Sequence, residues 1–336
     1  MTAANKPVTA ANKIIRWGII GCGDVTEVKS GPALQRAARS ALVAVMRRDR
    51  ARAEDYARRH QVPRFYDDAA ALIADPEVDA VYVATPPSSH HDHVLGVARA
   101  GKPVYVEKPM AMNHAQCQSM IDACAAAGVP LFVAYYRRAL PRFLKVKELI
   151  DSGRVGTVRL VTVSLWQPAP VADDQRGDSS WRVVPAIAGG GLFVDLACHT
   201  LDLLDFLLGP IAQAAGHTGN QGGLYDAEDV VAAHFVFQSG VHGAGAWGFA
   251  AGESVDRVEI VGSRGTITFA TFSNDPVTLT ADGARATFAI AHPPHIQQPM
   301  IQAVVDALTI GGVSPSTGES GARTSWVMDQ ILAPHR

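Results

Sequence analysis

IIRWGIIGCGDVT, residues 14–26, runs from an apolar stretch into a turn with glycines at Gly21 and Gly23. The apolar stretch predicts a strand buried on both faces, and the turn then opens a helix. Two of the three glycines of G-x-G-x-x-G are present, and Thr26 holds the third place. Gly21 allows the tight turn. Gly23 lets a pyrophosphate approach the backbone N–H groups at the helix N-terminus. Asp24 and Val25 complete the turn that would face such a ligand. Thr26 predicts looser packing between helix and strand. A glycine turn alone specifies only a turn. Its place after a strand, inside a βαβ unit, makes dinucleotide binding the better reading.

Outward from this turn, residues 14–137 alternate short apolar runs with helical patterns. ALVAVM, AVYVAT, PVYVEK and LFVAY read as further buried parallel strands. Asp49–His60 and Ser89–Ala100 read as amphipathic helices, the second with Ser89 as N-cap and Gly101 as its stop. Such alternation predicts an α/β domain with a doubly wound parallel sheet of the Rossmann kind. The rhythm changes beyond it. FLKVKELIDSG reads as a helix, TVRLVTVSLW as a strand, residues 167–188 as a polar loop, and GGGLFVDLACHTLDLLDFLLG as a helix ending at Gly209. Residues 214–290 carry strand-like runs with hairpin signals at QSG, SRG and DGA. A last helix lies in ESGARTSWVMDQIL. Residues 138–336 therefore predict an α+β domain with a large, mainly antiparallel open sheet, and residues 1–13 a loose polar tail.

VMRRDR, residues 45–50, lies where the second strand should end and face an adenosine ribose. An acid there hydrogen-bonds the ribose hydroxyls, whereas an arginine fork pairs with a 2′-phosphate. Arg47 holds that place and Arg48 follows it. Basic residues at a helix N-terminus oppose the macrodipole, so helix stability does not explain them. The pair predicts NADP in preference to NAD, with Asp49 as an N-cap.

The composition excludes several other classes. Lys and Arg total 30 and Asp and Glu 32, for a formal charge of −2, which offers no basic footprint for nucleic acid or a membrane surface. No apolar run reaches the length of a membrane helix, and the first residues lack a signal-peptide core. Cys22, Cys117, Cys124 and Cys198 form no CxxC pair, and the simplest expectation is reduced thiols in a cytoplasmic protein.

Chemistry-bearing residues gather at predicted strand ends. ATPPSSHHDH closes one strand and VYVEKPMAMN the next. In DLACH, Asp195 and His199 are spaced i,i+4 and share a helix face. With Lys108 they would make a proton-transfer group beside a nicotinamide, although a surface ion pair and a solvated lysine are the plainer alternatives. HHDH, residues 90–93, looks like a metal cluster, but neighbouring residues on one turn point apart, and no metal is expected. Asp202 reads as a supporting acid or a surface carboxylate. Trp247 reads as sheet packing.

Together GIIGCGDV, VDAVYVATPPSSH, AGKPVYVEKPMA, GGGLFVDLACHTLD and STGESGARTSWVMDQIL resemble the Gfo/Idh/MocA oxidoreductases, named for glucose–fructose oxidoreductase and inositol dehydrogenase. The resemblance spans residues 14–332. It implies a Rossmann domain, a second domain whose sheet pairs subunits into a homodimer or homotetramer, NADP or NAD, and alcohol–carbonyl redox on a sugar, polyol or related small molecule. It places catalysis on Lys108, Asp195 and His199. His199 would exchange the hydroxyl proton, Asp195 would orient His199, and Lys108 would stabilise the reacting oxygen. Thr85, Pro86, His90, Glu107, Lys108, Pro109, Trp181 and Arg182 would border the cofactor with Gly21, Gly23, Asp24, Val25, Arg47 and Arg48. AYYRR departs from the familiar sugar-oxidoreductase versions and makes Tyr136 and Arg137 candidate substrate contacts. Two rivals remain at this level: a hydrolase or lyase cycling a tightly held cofactor, and a non-catalytic nucleotide-binding regulator.

Overall fold

A computed structural model describes residues 13–169 and 180–333. Its first half alternates β1 (Ile15–Ile20), α1 (Gly31–Arg36), β2 (Ser40–Met46), α2 (Arg50–His60), β3 (Arg64–Tyr66), α3 (Ala69–Ala74) and β4 (Ala80–Val83). It continues through α4 (His90–Arg99), β5 (Val104–Val106), α5 (His114–Ala126) and β6 (Leu131–Val133). The six strands form one parallel sheet in the order β3-β2-β1-β4-β5-β6. β4, β5 and β6 are buried at every position, as strands covered on both faces must be. Asp49 caps α2 by accepting from the Arg52 N–H at 3.1 Å. Ser89 precedes α4, but its side chain makes no capping bond, because a 3₁₀ turn over Pro87–Ser89 already leads into the helix. β3 adds an edge strand that the apolar runs do not reveal. Its residues are only half-buried.

After β6, a 3₁₀ turn over Tyr136–Ala139 leads into α6 (Pro141–Asp151) and β7 (Val158–Trp166). The expected loop of residues 167–188 lies partly outside the described residues. Its described end holds a 3₁₀ turn at Ser180–Val183 and the short α7 (Pro185–Ala188). α8 (Leu192–Leu208) then precedes β8 (Ile211–Gly219), β9 (Val230–Phe237), β10 (His242–Gly248) and β11 (Val255–Gly262). β12 (Gly265–Phe269), β13 (Val277–Ala281) and β14 (Ala284–Phe288) follow. The eight-stranded sheet runs β14-β13-β12-β11-β7-β10-β9-β8, antiparallel except where β7 meets β10. The three hairpin signals fall at the β9–β10, β11–β12 and β13–β14 turns. One sheet face is apolar and covered by helices. Phe143 of α6 meets Phe269 edge-on at 5.9 Å, and Phe193 of α8 meets Trp247 at 5.1 Å. Trp247 is thus core. The other face presents Leu160, Ala232, His234, His242, Ala244 and Ala246 to the outside.

Two helices close the chain, α9 (Gln298–Thr309) and α10 (Gly318–Leu332). The first was not evident in the sequence pattern. Both return to the parallel sheet. Asp306 of α9 pairs with Arg39 at 2.6 Å, and Gln302 accepts from the Ala38 N–H at 2.7 Å. Asp329 of α10 accepts from the N–H of His114, at the start of α5, and Ser316 donates to the Val133 carbonyl at the end of β6. Among the described residues, no helix is long and apolar enough to cross a membrane.

Candidate active site

The carboxyl ends of β1, β4, β5 and β6 share one edge of the parallel sheet. Gly21 has φ +91°, and a Cβ there would lie 2.8 Å from the Thr85 methyl and 2.9 Å from the Thr85 nitrogen, so only glycine fits. At Gly23 a Cβ would meet nothing within 4 Å. Gly23 precedes the first helix, where Asp24 is exposed and Val25 half-buried, and an open helix N-terminus suits a pyrophosphate. Thr26 does not simply loosen the packing. It is fully buried, its hydroxyl donates to the Gly23 carbonyl at 2.7 Å, and the helix widens to a π turn over Thr26–Ser30. Tyr56 of α2 donates to the Thr26 carbonyl at 2.8 Å. Past β2, Arg47 donates to the Cys22 carbonyl at 3.3 Å and Arg48 is exposed. Turn, open space and arginine pair together fit a dinucleotide.

Two residues expected at the cofactor, His90 and Glu107, are turned into the protein. His90 is fully buried. Its Nε2 lies 2.7 Å from the Thr85 carbonyl, and its Nδ1 lies 3.0 Å from that of Pro109 and 3.2 Å from that of Met110. It ties the loop after β4 to the loop after β5 instead of facing the cleft. Burial pushes its pKa down, although the carbonyls favour the charged ring. Glu107 is also turned inward. Its carboxylate accepts from Tyr82 at 2.5 Å, Gln297 at 2.9 Å and the Lys108 N–H at 3.0 Å. Thr85 and Pro86 are half-buried at the rim, and Pro109 is buried behind a cis Lys108–Pro109 bond.

Lys108 and Asp195 meet. The Lys108 Nζ donates to Asp195 Oδ1 at 2.6 Å and to the Asp195 carbonyl at 3.0 Å. Arg182, stacked on Trp181 at 4.5 Å, brings its Nε within 3.5 Å of Asp195 Oδ2. Burial works against both charges. Asp195 nonetheless holds the Lys108 ammonium above its ordinary range, while Lys108 and Arg182 hold the Asp195 carboxyl below its own. Here the sequence expectation is corrected. Asp195 accepts from Lys108 and does not orient His199. The His199 Nδ1 is buried with no hydrogen-bond partner. Burial first, then the charges of Arg137 and Lys108, push its pKa well below 6.5, so Asp195 does not favour the imidazolium either. Helix spacing put both side chains on one face, but the lysine from the other sheet reached the carboxylate.

Around His199 lie Tyr135 at 6.3 Å, Tyr136 at 5.6 Å and Phe272 at 5.9 Å, all edge-on. Phe272 was missed. It sits in the turn between β12 and β13, and only the fold carries that turn to the cleft. Asp256 holds the turn by accepting from the N–H groups of Thr271, Phe272 and Ser273. Arg137 and Arg138 diverge. Arg138 binds Asp202 through two 2.8 Å hydrogen bonds and Asp205 at 2.9 Å. Asp202 is thus a fully buried ion-pair partner rather than a surface carboxylate.

Known proteins resemble both halves of the chain. A family model described as an oxidoreductase family with an NAD-binding Rossmann fold matches residues 15–135. The GFO/IDH/MocA C-terminal domain matches residues 143–268. The chain is 38% identical to oxidoreductase P35 of Formosa agariphila over 94% of its own length and 97% of that protein. It is 31% identical to 1,5-anhydro-D-fructose reductase of Ensifer adhaerens over 67% of each chain. The aldose–aldose oxidoreductase of Caulobacter crescentus, crystallised with glycerol, matches with a TM-score of 0.84 at 25% identity, over 96% of this chain and 97% of that one.

Proposed function

The chain belongs to the Gfo/Idh/MocA oxidoreductase family, and from that premise we propose that it transfers hydride between NADP and a carbinol or carbonyl carbon of a sugar, polyol or related small molecule. The observation that carries this reading is the Lys108–Asp195 pair, 2.6 Å apart, beside His199 at the edge of the NAD-binding sheet. The names of the sugar-acting relatives support the substrate class. When bound, the nicotinamide supplies or accepts the hydride. Lys108, kept charged by Asp195, donates a hydrogen bond to the reacting oxygen and stabilises alkoxide character. His199 is neutral at working pH and accepts the hydroxyl proton at an unprotonated ring nitrogen. Tyr135, Tyr136 and Phe272 exclude water from around the ring.

Arg47 and Arg48 support NADP, because a guanidinium fork pairs with a 2′-phosphate. Removing that pairing costs about 1.5–3 kcal/mol. Titration of NADP and NAD into wild type and Arg47→Ala tests it, and equal wild-type affinities would refute it. Formation of NADPH from NADP across a panel of sugars and polyols tests the activity itself. The reading also includes a cytoplasmic enzyme that assembles through the outer face of its large sheet.

A further inference from the structure

Three arginines lie in the six-residue span 137–142 after β6, and all are buried: Arg137 at 6% exposed, Arg138 at 4% and Arg142 at 2%. Arg138 is held by Asp202 and Asp205. Arg142 donates to the carbonyls of Ser273 and Asp275 and braces the turn after β12, while its Nε is buried without a partner. Arg137 differs in lying among the rings that surround His199. Its Nε donates to the Thr271 carbonyl at 3.0 Å, and its Nη1 is buried without a partner. Among the described residues no carboxylate pairs with it. The nearby Asp256 carboxylate is occupied by the N–H groups of the turn.

The guanidinium lies over the ring of Phe272 at 4.5 Å and that of Tyr136 at 4.9 Å. His199 meets these same two rings edge-on. Arg137 therefore shares the aromatic enclosure of the reacting centre. The His199 Nδ1 is unpartnered there too. An unmatched guanidinium N–H within that enclosure suits an anion on the substrate, and one guanidinium matches a monoanionic carboxylate.

We propose that Arg137 binds the carboxylate of the substrate, so that the enzyme acts on a sugar acid or a related hydroxy acid whose carbinol lies beside Lys108 and His199. This rests on the oxidoreductase reading above. The test uses the full-length protein saturated with NADP, and monoanionic acids paired with their neutral esters: D-glucuronate and D-galacturonate with the corresponding methyl esters. D-glucose 6-phosphate serves as a dianionic control. Binding is followed by calorimetry in wild type, Arg137→Met and Arg137→Lys, with NADP affinity as the control for folding.

At least one acid is expected to bind about tenfold or more tightly than its ester. Arg137→Met should abolish that ratio and Arg137→Lys should keep part of it. Equal binding of every acid and ester, absence of binding by every acid, an acid preference that survives Arg137→Met, or a preference for the phosphate would each overturn the proposal. NADPH formation from neutral polyols, measured in parallel, separates failure of this inference from failure of the oxidoreductase reading.

Discussion

Asp195 and Lys108 hold each other's charge, and that coupling is open to titration. Asp195→Asn removes the counter-charge, after which burial pulls the Lys108 pKa down. The limb of the rate–pH profile that reports Lys108 should then move to lower pH, and an unmoved limb would show that Asp195 does not hold it. His199→Ala should lower kcat by about 10²–10⁴-fold while leaving the Kd for NADP nearly unchanged. Wild-type turnover in that variant would transfer proton exchange to another group. His90 and His199 both have pKa values pushed below 6.5 by burial. The unfolded chain takes up protons near that value before the native chain does, so stability is full above it and falls as pH drops below it. Calorimetric Tm values should therefore fall between pH 7.5 and pH 5.5, and a flat Tm would contradict the buried neutral rings. That Lys108 and Asp195 belong to one cluster was legible because each sits in a short, ordered motif. The partner of Asp195 was not, since helix spacing describes one element and Lys108 comes from another. Phe272 carried no signal at all, because a turn residue between two hairpin strands gains its role only through long-range contact.

The π turn after β1 shows how an element absorbs a residue that its pattern disfavours. The Gly31 N–H bonds to the Thr26 carbonyl, and a Cβ at Gly31 would lie 2.3 Å from that oxygen and 2.4 Å from the Tyr56 hydroxyl. Gly31→Ala should therefore destabilise the protein by about 1–3 kcal/mol, read from the denaturant midpoint. Tyr56→Phe should recover part of that loss in the double variant, because it removes one of the two clashing atoms. Additive losses would place the strain elsewhere. Strand positions were legible from two-sided apolar runs such as AVYV, and α2 from Asp49 and its periodicity. The π turn was not, because Thr26 signals only a missing glycine. β3 was hidden by its half-buried edge position. α9, rich in β-branched Ile301, Val304 and Val305, lacks the cap and charge pattern that marks α2.

Among the described residues, helices cover one face of the large sheet and not the other. Leu160, Ala232, Ala244 and Ala246 lie on the other, among small and polar neighbours. Such a face suits a second copy. Sedimentation should show a dimer or tetramer that Ala232→Arg with Ala244→Arg dissociates, and a wild-type monomer at micromolar concentration would refute the assembly. The open sheet itself was legible from its hairpin turns. The return of the chain end to the first sheet was not, because Arg39 and Asp306 lie 267 residues apart. That return sets an order of events on the ribosome. The parallel sheet is written by residue 133, yet the helix that pairs with Arg39 begins only at Gln298. At about 5–20 residues per second the nascent sheet waits roughly 10–30 s for its cover. Chains stalled before Gln298 should be open to proteases at α1 and β1, and chains that run past Leu332 should not.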